Sequence, residues 1–232
     1  MKKAGLIIFI LTLAAGVIVS NILSFGETSR SFVNFSINGK VAGSGKVATE
    51  QRAVSDFSGI NTSGVFQVEV TAQKDFSVEI EADDNLLPLI KTEVSGGILT
   101  LGTEKAISSP NPIRVRISAP DIETLRVSGA SKVSVNDLSN EKLQIDSSGA
   151  SKISVAGETA DLIVDVSGAS KIDAQNLKSE NAFVDASGAS HVSLLAVNEL
   201  RTDASGASKI VYSGSPANLI KKTSGASSVV EK

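Results

Sequence analysis

Six copies of Ser-Gly-Ala-Ser, beginning at Ser128, Ser148, Ser167, Ser187, Ser205 and Ser224, recur at intervals of 20, 19, 20, 18 and 19 residues. A period of that length kept over six copies restricts the C-terminal half to a stacked repeat, one coil per copy. No single coil can bury an apolar face, so each is stable only against its neighbours.

Aligned on the first Ser, the copies sort themselves into rows. Five residues after it stand Val133, Ile153, Ile172, Val192, Ile210 and Val229, all β-branched and apolar, as a buried stack requires. Three before it stand Leu125, Ile145, Val164 and Val184, after which the row gives way to Thr202 and Lys221. Seven after it stand Val135, Val155, Ala174, Leu194 and Tyr212, ending in Glu231. The interior thus thins toward the last copy, as in an end coil whose outer side meets water. Apolar and polar rows alternate with period two on both sides of the motif, which predicts two short strands per coil joined at Ser-Gly-Ala-Ser. Stacked at about 4.8 Å, six coils make a solenoid roughly 25 to 30 Å long. The leucine-rich repeat and calcium-binding RTX signatures of similar period are missing, and a β-sandwich would not need identical residues at every second strand.

Upstream, the two-fold pattern continues without an obvious repeat. Phe66, Val68 and Val70, then Phe76, Val78 and Ile80, then Ile113, Val115 and Ile117, alternate with polar residues as half-buried strands do. Ile90–Val94 and Ile98–Leu101 flank Ser95-Gly96-Gly97 and predict a hairpin. Only 84–89 has room for a helical turn, and Pro88 limits it.

The first 26 residues differ in kind. Lys2 and Lys3 precede an uncharged run from Ala4 to Val19, which reads as a signal peptide or an N-terminal membrane-anchoring helix; both imply export of the remainder. Residues 27–45 are polar and rich in Gly and Ser, as a linker would be. The expected organisation is therefore 1–26 signal or anchor, 27–45 linker, 46–120 an N-terminal β section and 121–232 the repeat solenoid. With no cysteine there are no disulfides, no thiolate metal site and no acylated lipoprotein cysteine. Lys plus Arg (22) nearly balances Asp plus Glu (25) and no basic run occurs, so nothing marks a nucleic-acid partner.

These residues resemble the GIN-domain family of bacterial envelope proteins, catalogued as putative auto-transporter adhesin head domains. The resemblance runs from about Arg52 to the C-terminus. It rests on Phe57-Ser-Gly-Ile-Asn61 with Val65, Val68 and Val70, on Asn85-Leu-Leu with Gly97-Ile-Leu-Thr-Leu101, on the serial Ser-Gly-Ala-Ser copies and on Tyr212-Ser-Gly-Ser-Pro216. It implies two β-helical or β-roll sections in one all-β body, and an adhesin label without catalytic or binding residues to transfer. Family members are often lipoproteins or cleaved secreted proteins, whereas this N-terminus lacks the lipoprotein cysteine.

Two charged rows are the candidate site. Two residues before each motif stand Arg126, Asp146, Asp165, Asp185, Asp203 and Lys222; four after its first Ser stand Lys132, Lys152, Lys171, His191, Lys209 and Ser228. Their parity is opposite to the buried rows, so both face solvent. Like charges about 4.8 Å apart repel by about 1 kcal/mol even in water, and mutual neutralisation of the Asp and Lys rows across the bend is the plainest reading. The functional reading is a regularly spaced face for a repetitive partner such as a glycan. Calcium on the Asp row is opposed by the flanking lysines. The Ser/Ala corners also offer a flat strip for another protein, a second copy or a glycan.

An enzyme fits poorly. A catalytic carboxylate pair has its two pKa values driven apart by different surroundings, whereas these aspartates are equivalent. His191, the single histidine, stands where four other copies have Lys, and the serines lack a His and acid to activate them. The sequence therefore predicts an exported, non-catalytic, adhesin-like binding protein of the periplasm or cell surface without cofactor or metal. Its expected partner is a cell-surface glycan or envelope protein. The alternatives are an envelope scaffold and, behind it, a polysaccharide-cleaving β-helix enzyme.

Overall fold

The computed structural model describes residues 39–232. The expected signal or anchoring helix at 1–26 lies outside the described residues, as does most of the expected linker. Among the described residues no helix is long and apolar enough to cross a membrane.

The fold is all-β and is dominated by parallel pairing. In chain order the strands are β1 (Val41–Ala42), β2 (Val47–Arg52), β3 (Gly59–Gly64), β4 (Gln67–Thr71), β5 (Ser77–Asp83), β6 (Ile90–Ser95), β7 (Ile98–Thr103), β8 (Ile107–Ser108) and β9 (Arg114–Ser118). The repeat half follows with β10 (Thr124–Gly129), β11 (Lys132–Ser147), β12 (Lys152–Val166), β13 (Lys171–Ala186), β14 (His191–Ala204), β15 (Lys209–Ser213), β16 (Asn218–Thr223) and β17 (Ser228–Glu231). A 3-10 turn at Leu87–Leu89 carries Pro88 in its first turn, where a missing N–H costs nothing.

The rows read from the sequence are columns in space. Val133, Ile153, Ile172, Val192, Ile210 and Val229 are successive register partners through β11, β12, β13, β14, β15 and β17. The first five are fully buried and Val229, on the last coil, is half-buried. Leu125, Ile145, Val164, Val184 and Thr202 form the second column, which ends at exposed Lys221. Each fully buried Val, Leu or Ile contributes roughly 1.5 to 3 kcal/mol relative to exposure, so these columns are the main cohesion between coils.

Four intervals differ in one respect from the sequence expectation of two short strands: β11, β12, β13 and β14 each run as one long strand from corner to corner, whereas the last interval keeps two, β15 and β16. Inside β13 the buried positions step by two except between Ala174 and Leu177 and between Ser179 and Ala182, where the chain bends without leaving the ladder. The pairing registers shift at these places, as at bulges.

The solenoid also starts earlier than the obvious repeat. β3 lies beneath β10, with Ser63 and Gly64 under Ser128 and Gly129, and β4 lies beneath β11, with Val68 and Val70 under Val133 and Val135. Below this coil, β7 pairs with β3 and β9 with β4, both in parallel. The chain thus lays down one coil, doubles back to build the coil beneath it, and then continues above. The ladder is continuous across residue 120, so the two expected sections share one stack.

Antiparallel strands flank the lower coil. β6 and β7 form the expected hairpin through Gly96 and Gly97, both at positive φ (57° and 75°), the turn that suits hairpin twist. β5 pairs with β9 and β2 with β5. Buried Asp83 at the end of β5 accepts hydrogen bonds from Ser109 Oγ (2.8 Å) and Asn111 Nδ2 (2.7 Å), which tie the following loop down. The end of the 27–45 stretch belongs to this body rather than to a linker: β1 pairs with β8, and the Asn85 amide donates to the Ala42 carbonyl at 2.8 Å.

Candidate functional site

The corner is built from the motif one residue at a time. The glycines at 129, 149, 168, 188, 206 and 225 all have positive φ, between 70° and 93°, which L side chains rarely adopt. Each also sits directly on the glycine of the coil below, so a Cβ at 149 or 168 would lie 2.5 Å from a carbonyl oxygen. The residue after it closes the corner ladder: the Ala150 amide donates to the Gly129 carbonyl at 2.8 Å, and Ala169 to Gly149 likewise. That Ala is exposed, which leaves no role for a larger apolar side chain.

The last Ser of the motif turns inward. Ser131, Ser151, Ser170, Ser190 and Ser208 are buried, and the hydroxyls of Ser131, Ser170 and Ser208 occupy backbone groups at the bend. Ser151 Oγ lies 2.6 Å from Ser147 Oγ and donates to Ser170 Oγ at 3.1 Å; Ser208 Oγ donates to the Ala186 carbonyl at 3.1 Å. Ser190 Oγ is buried without a partner. In the hidden copy Phe66 takes this serine's place and is buried, a substitution that conceals Ser63-Gly64 from a search for identical motifs. The signal that could have found it is Ser-Gly followed by Val68 and Val70 at the repeat's own offsets of five and seven.

On the strand entering the corner, Arg126, Asp146, Asp165, Asp185, Asp203 and Lys222 are successive register partners, so the sequence row is one column. Four carboxylates on consecutive coils are closed below by Arg126 and above by Lys222. Arg126 Nε lies 3.4 Å from Asp146 Oδ2, and the Gln144 amide donates to both Asp146 oxygens at 3.1 and 3.2 Å. Asp185, in the interior of the column, has its pKa raised by desolvation and then by the charges of Asp165 and Asp203.

The strand leaving the corner carries the second column. Lys132, Lys152, Lys171, His191, Lys209 and Ser228 are in register. Below them come Gln67 and then Arg114. The four lysines are exposed and His191 is half-buried, with Nε2 3.2 Å from Ser193 Oγ. Burial lowers the His191 pKa, and the charges of Lys171 and Lys209 lower it further. His191 thus falls between two like-charged neighbours.

The expected neutralisation across the bend is not found. None of the ion pairs among the described residues joins a ladder aspartate to a ladder lysine. Arg126 and the Gln144 amide relieve one end of the acid column, and Asp185 in its interior feels the like charges of Asp165 and Asp203. Among the described residues no three acidic or histidine side chains converge as a metal ion would require. The depression beside the acid column, lined by Arg126, Asp146, Asp165 and serines of the corner, is shallow and open.

The architecture has a solved counterpart. A putative adhesin from Bacteroides fragilis NCTC 9343 superposes with a TM-score of 0.69 at 19% identity, over 83% of this chain and 100% of that one. A putative adhesin from Parabacteroides merdae ATCC 43184 matches with a TM-score of 0.49 at 17% identity, over 84% and 99%. The first likeness establishes a shared fold. None of the curated proteins matches the chain in sequence. The family model described as putative auto-transporter adhesin, head GIN domain, matches residues 56–216, from the start of the first coil to the turn before the last, and the chain belongs to that family.

Proposed function

We propose that this protein is a non-catalytic, adhesin-like binding module of the cell envelope that presents a repetitive solenoid face to a glycan. The observation that carries this reading is the in-register stacking of equivalent polar side chains, which repeats one chemical group at about 4.8 Å on consecutive coils without an enclosing cleft. Such a face suits many weak, equivalent contacts with a repetitive ligand rather than one deep contact with a small molecule. The open acid column, with Ser148 and Ser167 beside it, supplies acceptors and donors of the kind sugar hydroxyls use. The uncharged run from Ala4 to Val19 supports export, with the body in the periplasm or at the cell surface. The names carried by solved relatives agree with this reading.

Glycan-array binding by the wild type, lost in Asp165→Ala/Asp185→Ala while the thermal midpoint is kept, is the expected outcome. Binding unchanged by the double substitution removes the acid column as the ligand face.

A scaffold role is the second reading, and the last coil favours it. β16 and β17 have a register partner on one side only, and Leu219, Ile220 and Val230 are 40 to 42% exposed there. An open parallel edge with apolar side chains is a place where another chain can add a strand. Recovery of one stoichiometric envelope partner that is lost on Ile220→Lys supports it over glycan binding.

A further inference from the structure

The two charged columns have the same pitch because one parallel ladder sets both. They lie on the same coils, and they have no ion pairs with each other. Counting coils by their corners, Asp146 and Lys152 flank one corner, Asp165 and Lys171 the next, Asp185 and His191 the third, and Asp203 and Lys209 the fourth. On the acid side the aspartates run through four consecutive coils. On the basic side the same four levels carry three lysines and His191.

We propose that the basic column of one copy docks on the acid column of a second copy, side by side with solenoid axes parallel, so that coils meet level for level. The occupant is a second copy because no other partner must carry the complementary charge at this spacing, whereas an identical chain does so by construction. Beyond the Arg126–Asp146 pair at one end, no side chain of either column has an ion-pair partner among the described residues. The corner residues next to both columns, Ala150 and Ala169 among them, are small and exposed, so they leave the charged columns accessible to a neighbour. Local charges leave the match standing: Arg201, two residues before Asp203 on the same face of β14, is held by Glu199 at 3.0 Å. Asp173, in the outward row beside the lysines, is flanked in register by Ser154 and Ser193, and Arg126 and Lys222 stand at the two ends of the acid column rather than within it.

Docking an acid face on a basic face is heterologous. Each copy retains one free face of each sign, so association continues into a row instead of closing as a dimer. The contact is between exposed ion pairs, so it is weak, additive along the column and sensitive to salt. This does not depend on the glycan reading: a glycan needs one face of one copy, whereas self-association needs both.

The test is sedimentation velocity on the full-length chain in a nonionic detergent, over a protein concentration series. It compares about 10 mM salt, where the Debye length is about 30 Å, with about 1 M, where it is about 3 Å. The wild type is expected to grow in mean mass with concentration at low salt and to remain monomeric at high salt. Asp165→Asn/Asp185→Asn and Lys152→Gln/Lys171→Gln each leave the other face intact. Each alone is expected to lose the growth, and an equimolar mixture is expected to form dimers that do not extend. Circular dichroism melting of both variants establishes that they are folded. A wild type that stays monomeric at low salt overturns the proposal, as does growth that survives either neutralisation or is insensitive to salt. The lysine pair also separates this inference from the ligand reading. Loss of self-association with glycan binding kept leaves both standing, and loss of glycan binding in the aspartate variant without any wild-type assembly leaves only the ligand reading.

Discussion

Gly168 lies directly over Gly149: a Cβ at 168 would sit 2.5 Å from the Gly149 carbonyl oxygen, the same oxygen that accepts the Ala169 amide at 2.8 Å. The glycine is required twice, by its φ of 80° and by the coil beneath it. Gly168→Ala is therefore expected to lose at least about 2 kcal/mol in urea unfolding, because positive φ strain and a backbone clash add. Ala169→Ser, one residue on and exposed, is expected to stay within about 0.5 kcal/mol.

Ile153 and Lys152 are neighbours with opposite fates. Ile153 is fully buried between Val133 and Ile172, and Lys152 is exposed. Ile153→Asp puts an unpaired charge inside the stack and is expected to prevent cooperative folding, visible as loss of the β-sheet circular dichroism signal. Lys152→Ala is expected to shift stability by less than about 0.5 kcal/mol.

The serine column separates hydroxyls that work from one that does not. Ser170 Oγ accepts from the Ser151 amide (3.3 Å) and the Ser151 hydroxyl (3.1 Å), so Ser170→Ala is expected to cost about 1 to 3 kcal/mol. Ser190 Oγ is buried with no partner, so Ser190→Ala is expected to be neutral or stabilising in the same unfolding experiment.

Repulsion within the acid column makes stability depend on pH. Asp185 has a raised pKa in the folded protein, from desolvation and from Asp165 and Asp203, so between its unfolded and folded values the native state binds more proton than the unfolded state. Stability then falls as pH rises through that window, and the full cost is present at neutral pH. Asp185→Asn is expected to raise the thermal midpoint at pH 7, with the gain fading as pH falls below the ordinary aspartate range. A gain that is constant with pH would assign the effect to something other than ionisation.

His191 works in the other direction. Its pKa is lowered by burial and by Lys171 and Lys209, so as pH falls below the ordinary histidine value the unfolded chain takes up the proton first and stability declines. His191→Gln is expected to flatten the midpoint between about pH 7 and 5, and His191→Lys to lower it at pH 7 with partial recovery at high salt.

How much of this was legible follows from what each feature rests on. The buried columns could be read because side-chain direction alternates strictly along a strand, so matched offsets imply matched faces. The coil at β3 and β4 could not be read as easily. Phe66 and Val65 replace the motif's Ser and Ala, and the next copy comes only after the chain has built the coil beneath, an order no local pattern encodes. The charged rows were read as solvent-facing, and they are exposed or half-exposed. Their expected mutual neutralisation failed, since alternation says that two side chains face out and not that they face each other.

The sequence by itself determined the period and the parity of each position, because these depend on residues near one another in the chain and on the fixed geometry of a strand. The tertiary structure alone decided that β7 and β9 pass beneath β3 and β4. It also decided that no ladder aspartate pairs with a ladder lysine among the described residues, and that Ser190 is left without a partner where Ser170 makes three hydrogen bonds. Those outcomes depend on which backbone lies against which, and that is settled only when the coils close over one another.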